Sequence, residues 1–264
     1  MPIPAYAIRS MTRRLHVLML AFLIPVWGAA ADQCEHLVAI GVGERAPYHW
    51  QHAEDAQPQG ASVALLRRMA DELDVSLNIL TAESREQAER EVISGRVDLL
   101  IDTRWRPELL TALDFLHPAL HLAPIVAWVP AERSFPLYEW EELQGQRGLA
   151  VDAALTVDER LKPTSADDFA LAIQSMLAGK HDFVLFDYAA GQVDSLRYGW
   201  VGRVEVLFPE LYKQPLYLAF SHRSACNTPE LRGRLAMALH RIESEAAAAD
   251  SVRKEIRHWA EHKH

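Results

Sequence analysis

Motifs of covalent chemistry are missing from this 264-residue chain. No Gly-x-Ser-x-Gly elbow, Walker loop or Cys-x-x-Cys occurs, which removes the commonest sequence pointers to acyl-transfer, nucleotide-hydrolysing and dithiol enzymes. Gly41-Val-Gly43 lacks the third glycine of a dinucleotide fingerprint and reads as a strand end. Basic residues are in deficit, 27 Lys and Arg against 36 Asp and Glu, which argues against nucleic acid or an anionic membrane surface as partner. Long apolar runs are absent beyond residue 31, so no later segment approaches the ~20 residues of a membrane span. Histidines never cluster densely: His258 and His262 lie four apart and His117 and His121 flank Pro118. All four therefore read as structural or surface groups, and no metal is expected. Cysteines number two, Cys34 and Cys226.

The first 31 residues have the plan of a secretory signal peptide: basic Arg9, Arg13 and Arg14, an apolar stretch from Leu15 to Trp27, and Ala29-Ala30-Ala31 for cleavage. Asp32 and Gln33 stand where a lipid-attachment cysteine would need small residues, so Cys34 is not read as one. The remaining ~233 residues suffice for two lobes of about 100 each. In an oxidising compartment the two cysteines suggest one disulfide, with two buried thiols as the alternative.

A short phrase occurs twice. Residues 95–102 read Gly-Arg-Val-Asp-Leu-Leu-Ile-Asp and 179–187 read Gly-Lys-His-Asp-Phe-Val-Leu-Phe-Asp. Each follows an amphipathic stretch, so each reads as a helix ended by a left-handed glycine. An apolar run opened by Asp98 or Asp182 comes next, the pattern of a strand buried on both faces of a parallel sheet. Both strands finish on polar residues, Asp102-Thr103-Arg104 and Asp187-Tyr188, and open α/β sheets bind ligands beyond such carboxyl ends.

Around these phrases the spacing predicts strands at 37–42, 75–80, 148–151 and 204–207, and helices at 61–73, 107–112, 137–143, 228–249 and 251–262. Thr156-Val-Asp-Glu159 reads as a helix capping box. Pro124 to Pro130 and Leu216 to Ser221 read as apolar crossing segments that leave and re-enter the first lobe, a hinge that permits closure.

In order and spacing, the chain resembles the family 3 periplasmic solute-binding proteins of amino-acid importers. The likeness rests on Pro47-Tyr48, Gly60, the Gly95/Asp98 phrase, Pro107-Glu108 with Asp114-Phe115 and Pro118, Leu143-Gly145, and the Gly179/Asp182/Asp187 phrase. The resemblance implies an α/β, two-lobed periplasmic-binding-protein (type II, Venus-flytrap) fold with two crossing hinge strands. Lobe 1 would comprise 32–125 and 217–264, and lobe 2 would comprise 126–216. It implies a periplasmic, monomeric binder of a small polar solute such as an amino acid. It also implies no cofactor, and partners among importer membrane subunits or a membrane sensor. The alternative is an enzyme on the same scaffold, a cyclohexadienyl-type dehydratase with Glu44 or Glu210 as general acid.

The resemblance also proposes site residues. Asp187 matches an acid that pairs with a ligand ammonium, or else serves as N-cap of the following helix. Tyr48 matches a loop aromatic that covers the ligand, assisted by Trp50, or else both pack within a lobe. The family's carboxylate-binding arginine is replaced by Leu109, leaving Arg104 or Arg106 beside Thr103 to supply a guanidinium, or else to lie solvated. Thr156, in a departure from the usual Gly-Thr or Gly-Ser, keeps a helix N-terminus for an anion.

Overall fold

The computed structural model describes residues 34–51, 57–151 and 161–261; the expected signal peptide and the capping box at Thr156–Glu159 lie outside them. β1 (His36–Val42) leads through a small hairpin, β2 (Glu44–Arg45) and β3 (His49–Trp50), into α1 (Ala61–Leu73). β4 (Ser76–Ala82), α2 (Arg85–Ser94) and β5 (Leu99–Thr103) follow. β1 pairs in parallel with both β4 and β5, as alternating strand and helix requires. After β6 (Leu113–Phe115), β7 (His121–Pro130) carries the chain to a second set of β8 (Gly148–Val151), β9 (Thr164–Ala166), α3 (Phe169–Leu177), β10 (Phe183–Asp187) and α4 (Tyr188–Arg197). β11 (Val204–Ser221) then returns to α5 (Pro229–Ser244) and α6 (Ala247–Glu261).

The strand order is β4-β1-β5-β11-β7-β10-β8-β9. β11 pairs antiparallel with β7 over most of its length and with β5 and β6 at its end, while β7 also pairs with β10. These two strands therefore link the parallel sets β4-β1-β5 and β10-β8-β9.

Both copies of the phrase build the same joint. Gly95 takes φ 81° to close α2, and Gly179 takes φ 75° just past α3. Asp98 then accepts the Val38 N–H at 2.8 Å and the Ser224 hydroxyl at 2.6 Å. Asp182 accepts the Arg147 N–H at 2.9 Å and its guanidinium at 2.8 and 3.0 Å, and the arginine holds this carboxyl down at about 2. Each aspartate thus pins the backbone at or beside the start of the neighbouring strand.

Side chains alternate along these strands. Leu99 and Ile101 face the α1 and α5 side with Leu66, Met69, Leu235 and Phe220, whereas Leu100 faces α2 with Ala88 and Val92. In the other set Ile125, Ala127 and Val129 share a core with Phe183 and Leu185, and Val126 and Trp128 share another with Ile173 and Met176. Each set of strands is thus packed on both faces. α6 packs against both α1 and α4, although the expected boundaries would put those two helices in different lobes. Its Trp259 is buried between Trp50, at 5.2 Å between rings, and the Arg197 guanidinium, 4.9 Å from the ring.

Four local expectations need correction. The segments at 204–207 and 216–221 are parts of one strand, because the register shift between Leu207 and Tyr212 lifts Pro209 out of the ladder. Residues 107–112 and 137–143 form only 3₁₀ turns, Pro107–Thr111 and Trp140–Leu143. The last two helices part at Ala246, which takes φ 55°, rather than at residue 250. The structure joins Cys34 to Cys226, with Cα atoms 5.0 Å apart, tying the start of β1 to the segment before α5.

Candidate functional site

The carboxyl ends of β5 and β10 meet the β2–β3 hairpin. The hairpin reaches them because two glycines leave room. A Cβ on Gly41 would strike the His49 ring, and one on Gly60, at φ 119°, would strike the Tyr48 carbonyl. Tyr48, 1% exposed, donates its hydroxyl to Asp187, at 2.9 Å from Oδ2 and 3.2 Å from Oδ1. Asp187 closes β10 and caps α4, its Oδ1 accepting the N–H groups of Ala189 at 2.8 Å and Ala190 at 3.2 Å. Burial pushes the Asp187 carboxyl up, against the opposing pull of Arg45, the two N–H groups and the Tyr48 hydroxyl. The Tyr48 hydroxyl is raised well above its usual value by burial and then by Asp187.

The first strand end carries a second buried network. Asp102, in the left-handed region at φ 55°, accepts the Ser62 hydroxyl at 2.8 Å. The same oxygen of Ser62 lies 2.9 Å from His121 Nε2. Because Ser62 gives its only proton to Asp102, His121 must donate to Ser62, which assigns the Nε2–H tautomer. Asp102 Oδ2 has no hydrogen-bond partner among the described residues. Burial lifts this carboxyl to about 6, with Arg45 and Ser62 pulling it down. Burial, then Arg45, drives the His121 imidazole down to about 3. The His121 and Tyr48 rings sit 5.1 Å apart, so the two networks abut.

Arginines form the remaining wall. Arg45 lies 5.9 Å from the Tyr48 ring centroid. It lines a cavity of about 20 Å³ with Arg85, Asp102 and Thr103, and another of about 40 Å³ with Arg104, Phe186, Asp187 and Gln214. Burial, then Arg85 and Arg45, lowers Arg104 to about 9. A larger cavity of about 450 Å³, mostly apolar, runs along β7 and α6 on another side of Tyr48 and His121.

The residues proposed from sequence therefore fare differently. Tyr48, Asp187, Thr103 and Arg104 converge at the strand ends and are buried. Among the described residues Thr103 Oγ1 makes only a long bond, 3.4 Å, to the Arg104 carbonyl. Trp50 turns away, its ring on Trp259 and its Nε1 donating to Glu255 at 3.3 Å. Arg106 is ion-paired with Glu89. Thr156 lies outside the described residues. Glu44 is exposed and Glu210 lies 3.7 Å from Lys213; the buried carboxyls of the site are Asp102 and Asp187 instead.

Sequence reasoning does not reach Arg45, Arg85 or Ser62, and it reads His121 as structural or surface. A signal exists only for Asp102, which ends the first phrase where Asp187 ends the second. Ser62 meets its partners Asp102 and His121 across 40 and 59 residues of sequence, which leaves no local pattern.

No protein-family model and no curated protein matches the chain. Solved structures do. The GluR0 ligand-binding core in complex with L-glutamate is 17% identical, with a TM-score of 0.67 over 84% of this chain and 98% of that one. The periplasmic VFT2 domain of Bordetella pertussis BvgS is 18% identical, with a TM-score of 0.66 over 86% and 94%. A substrate-binding domain of an amino-acid ABC transporter from Streptococcus pneumoniae is 16% identical, at 0.64 over 83% and 99%. The chain has the two-lobed fold of the periplasmic binding proteins, shared with transporter-binding and sensor domains.

Proposed function

We propose that this chain is an exported solute-binding protein that captures a small polar solute, an amino acid or a related acid, between its lobes. Residues 1–31 act as signal peptide, 32–125 and 217–264 form the first lobe, and 126–216 form the second. The solute is passed to an importer or read by a membrane sensor; solved neighbours include both a transporter-binding domain and a histidine-kinase sensor domain.

One observation carries this reading. Tyr48 and Arg45 of the hairpin, Asp102 and Arg104 at the end of β5, and Asp187 at the end of β10 come from three separate segments, yet they converge at the carboxyl ends of β5 and β10. That is where an open α/β sheet takes its ligand. Burial leaves Asp102 Oδ2 without a hydrogen-bond partner among the described residues, which is costly, and a polar solute is a partner that a cleft admits.

A thermal-shift panel of amino acids, polyamines and organic acids tests the reading. A solute held at 100 times its Kd adds about 2.7 kcal/mol of stability, which appears as a clear rise in Tm. No rise with any class, and no small molecule released on denaturation, refutes it.

A further inference from the structure

We propose that the cavity of about 450 Å³ along β7 and α6 is a second binding site, and that it takes a neutral, apolar small molecule, best an aromatic one, with a single hydrogen-bond donor. This inference does not rest on capture of a polar solute at the strand ends, because the two places offer different chemistry.

The volume falls in the range of small-molecule sites, about 300–1,000 Å³. Leu120, just before β7, and Val252 and Ile256 of α6 give apolar walls, and Tyr48, His121 and Tyr188 add three rings. Tyr48 commits its hydroxyl to Asp187, so it contributes only its ring here. The chain enters α6 with Ala246, Ala248 and Ala249 on the lining, side chains too short to fill the space between the helix and β7. Apolar surface in a hollow of this kind favours any apolar molecule that covers it.

The charged residues of the lining do not select an ion. Lys213, Glu243 and Arg253 are of both signs and more than half exposed, and each has a neighbour: Glu210 at 3.7 Å, His240 at 3.4 Å, and Asp250. Selectivity comes instead from His121. Its Nε2–H goes to Ser62, which leaves the lone pair on Nδ1. Burial keeps the ring neutral, with the imidazole down at about 3, and no hydrogen bond among the described residues ends on Nδ1. A neutral acceptor in an otherwise apolar lining takes one N–H or O–H and favours molecules that carry it.

Titrations of the purified protein followed by its amide NMR signals test the site. The probes are indole and its isostere benzofuran, which lacks the N–H, with indole-3-propionate and tryptamine as charged counterparts. Indole is expected to shift the amides of Val252, Ile256 and Ala189, and to bind about 3–10-fold tighter than benzofuran, the worth of one neutral hydrogen bond. Ala249→Trp, a change at an exposed position that fills the cavity, should abolish those shifts. Equal affinity for benzofuran, or a charged counterpart more than about 10-fold tighter than indole, overturns the inference, as does the absence of any shift at millimolar indole. Shifts centred on Arg45, Asp102 and Asp187 overturn it too, by putting the molecule at the strand ends. The wild-type titrations decide even if Ala249→Trp does not fold. None of these outcomes bears on polar-solute capture, which the thermal-shift panel tests by itself.

Discussion

Removing the Tyr48 hydroxyl should uncouple the hairpin from the end of β10. In Tyr48→Phe the ring stays and one hydrogen bond to a buried carboxylate is lost. Bonds to charged groups contribute about 1.5–3 kcal/mol, so stability should drop by about that much. Asp187→Asn keeps a capping oxygen for Ala189 and Ala190, and Asn caps as well as Asp; it also spares the burial of a charge. Its cost should stay below about 1 kcal/mol. Asp187→Ala loses the cap, about 0.5–2 kcal/mol, and strands the buried Tyr48 donor, about 1–3 kcal/mol, for a total of about 1.5–5 kcal/mol. Urea denaturation of Tyr48→Phe, Asp187→Ala and the double variant closes a cycle whose coupling energy should be about 1–3 kcal/mol. Additivity within about 0.5 kcal/mol would mean that the two side chains do not act on one another, and the account of the site would fail.

Acid should reveal the second network. His121 is held near 3, below its ordinary 6.5, so its contribution is complete above pH 6.5 and drains as pH falls toward 3. Asp102 is raised from 3.8 to about 6, so its contribution is complete below pH 3.8 and is lost as pH rises through 6. Each unit is worth about 1.4 kcal/mol, and between pH 7 and 4 the two nearly offset. Asp102→Asn removes the counterweight, and urea midpoints should then show about 3 kcal/mol more loss from pH 7 to pH 4 than in the wild type. Cys226→Ser should cost about 2–5 kcal/mol, with dithiothreitol lowering the wild-type Tm toward that of the variant; an unchanged Tm would remove the disulfide from the stability account. Gly60→Ala should destabilise through both its φ of 119° and the Tyr48 carbonyl, and circular dichroism melts should show a drop larger than that for Gly145→Ala, where a Cβ meets nothing.

Much of the architecture is legible because it is written in periodicity. The 61–73 helix shows its buried stripe in Val63, Leu66, Met69 and Leu73, and the two phrases announce helix, glycine and buried strand in order. The misread stretches are punctuated by proline. Pro209 and Pro215 make β11 look like two pieces, since a proline in a ladder removes a donor; the register shift takes up Pro209, while Pro215 stays in register opposite Leu122. Pro107 and the 137–143 segment look helical from their ends but hold too few residues to sustain a run of α-helical hydrogen bonds. The site is legible only at its strand ends. Tyr48 and Asp187 are visible through family likeness, and Asp187 takes its N-cap reading, capping α4 while accepting Tyr48. Trp50 and Arg106 have the right chemistry and find other partners, Glu255 and Glu89. Pair formation across 40 or more residues leaves no local pattern, so Ser62, His121 and Arg45 stay silent until the strands are assembled.

α6 gives the molecule a built-in gauge. Its Trp259 lies against Trp50 on one side and the Arg197 guanidinium of α4 on the other. Any displacement that parts β3 from α4 must therefore slide or free this indole from one neighbour. A cation over an indole face and an adjoining second indole both alter emission, so the Trp259 fluorescence, taken as the difference from Trp259→Phe, should report the spacing of β3 and α4 without any attached label.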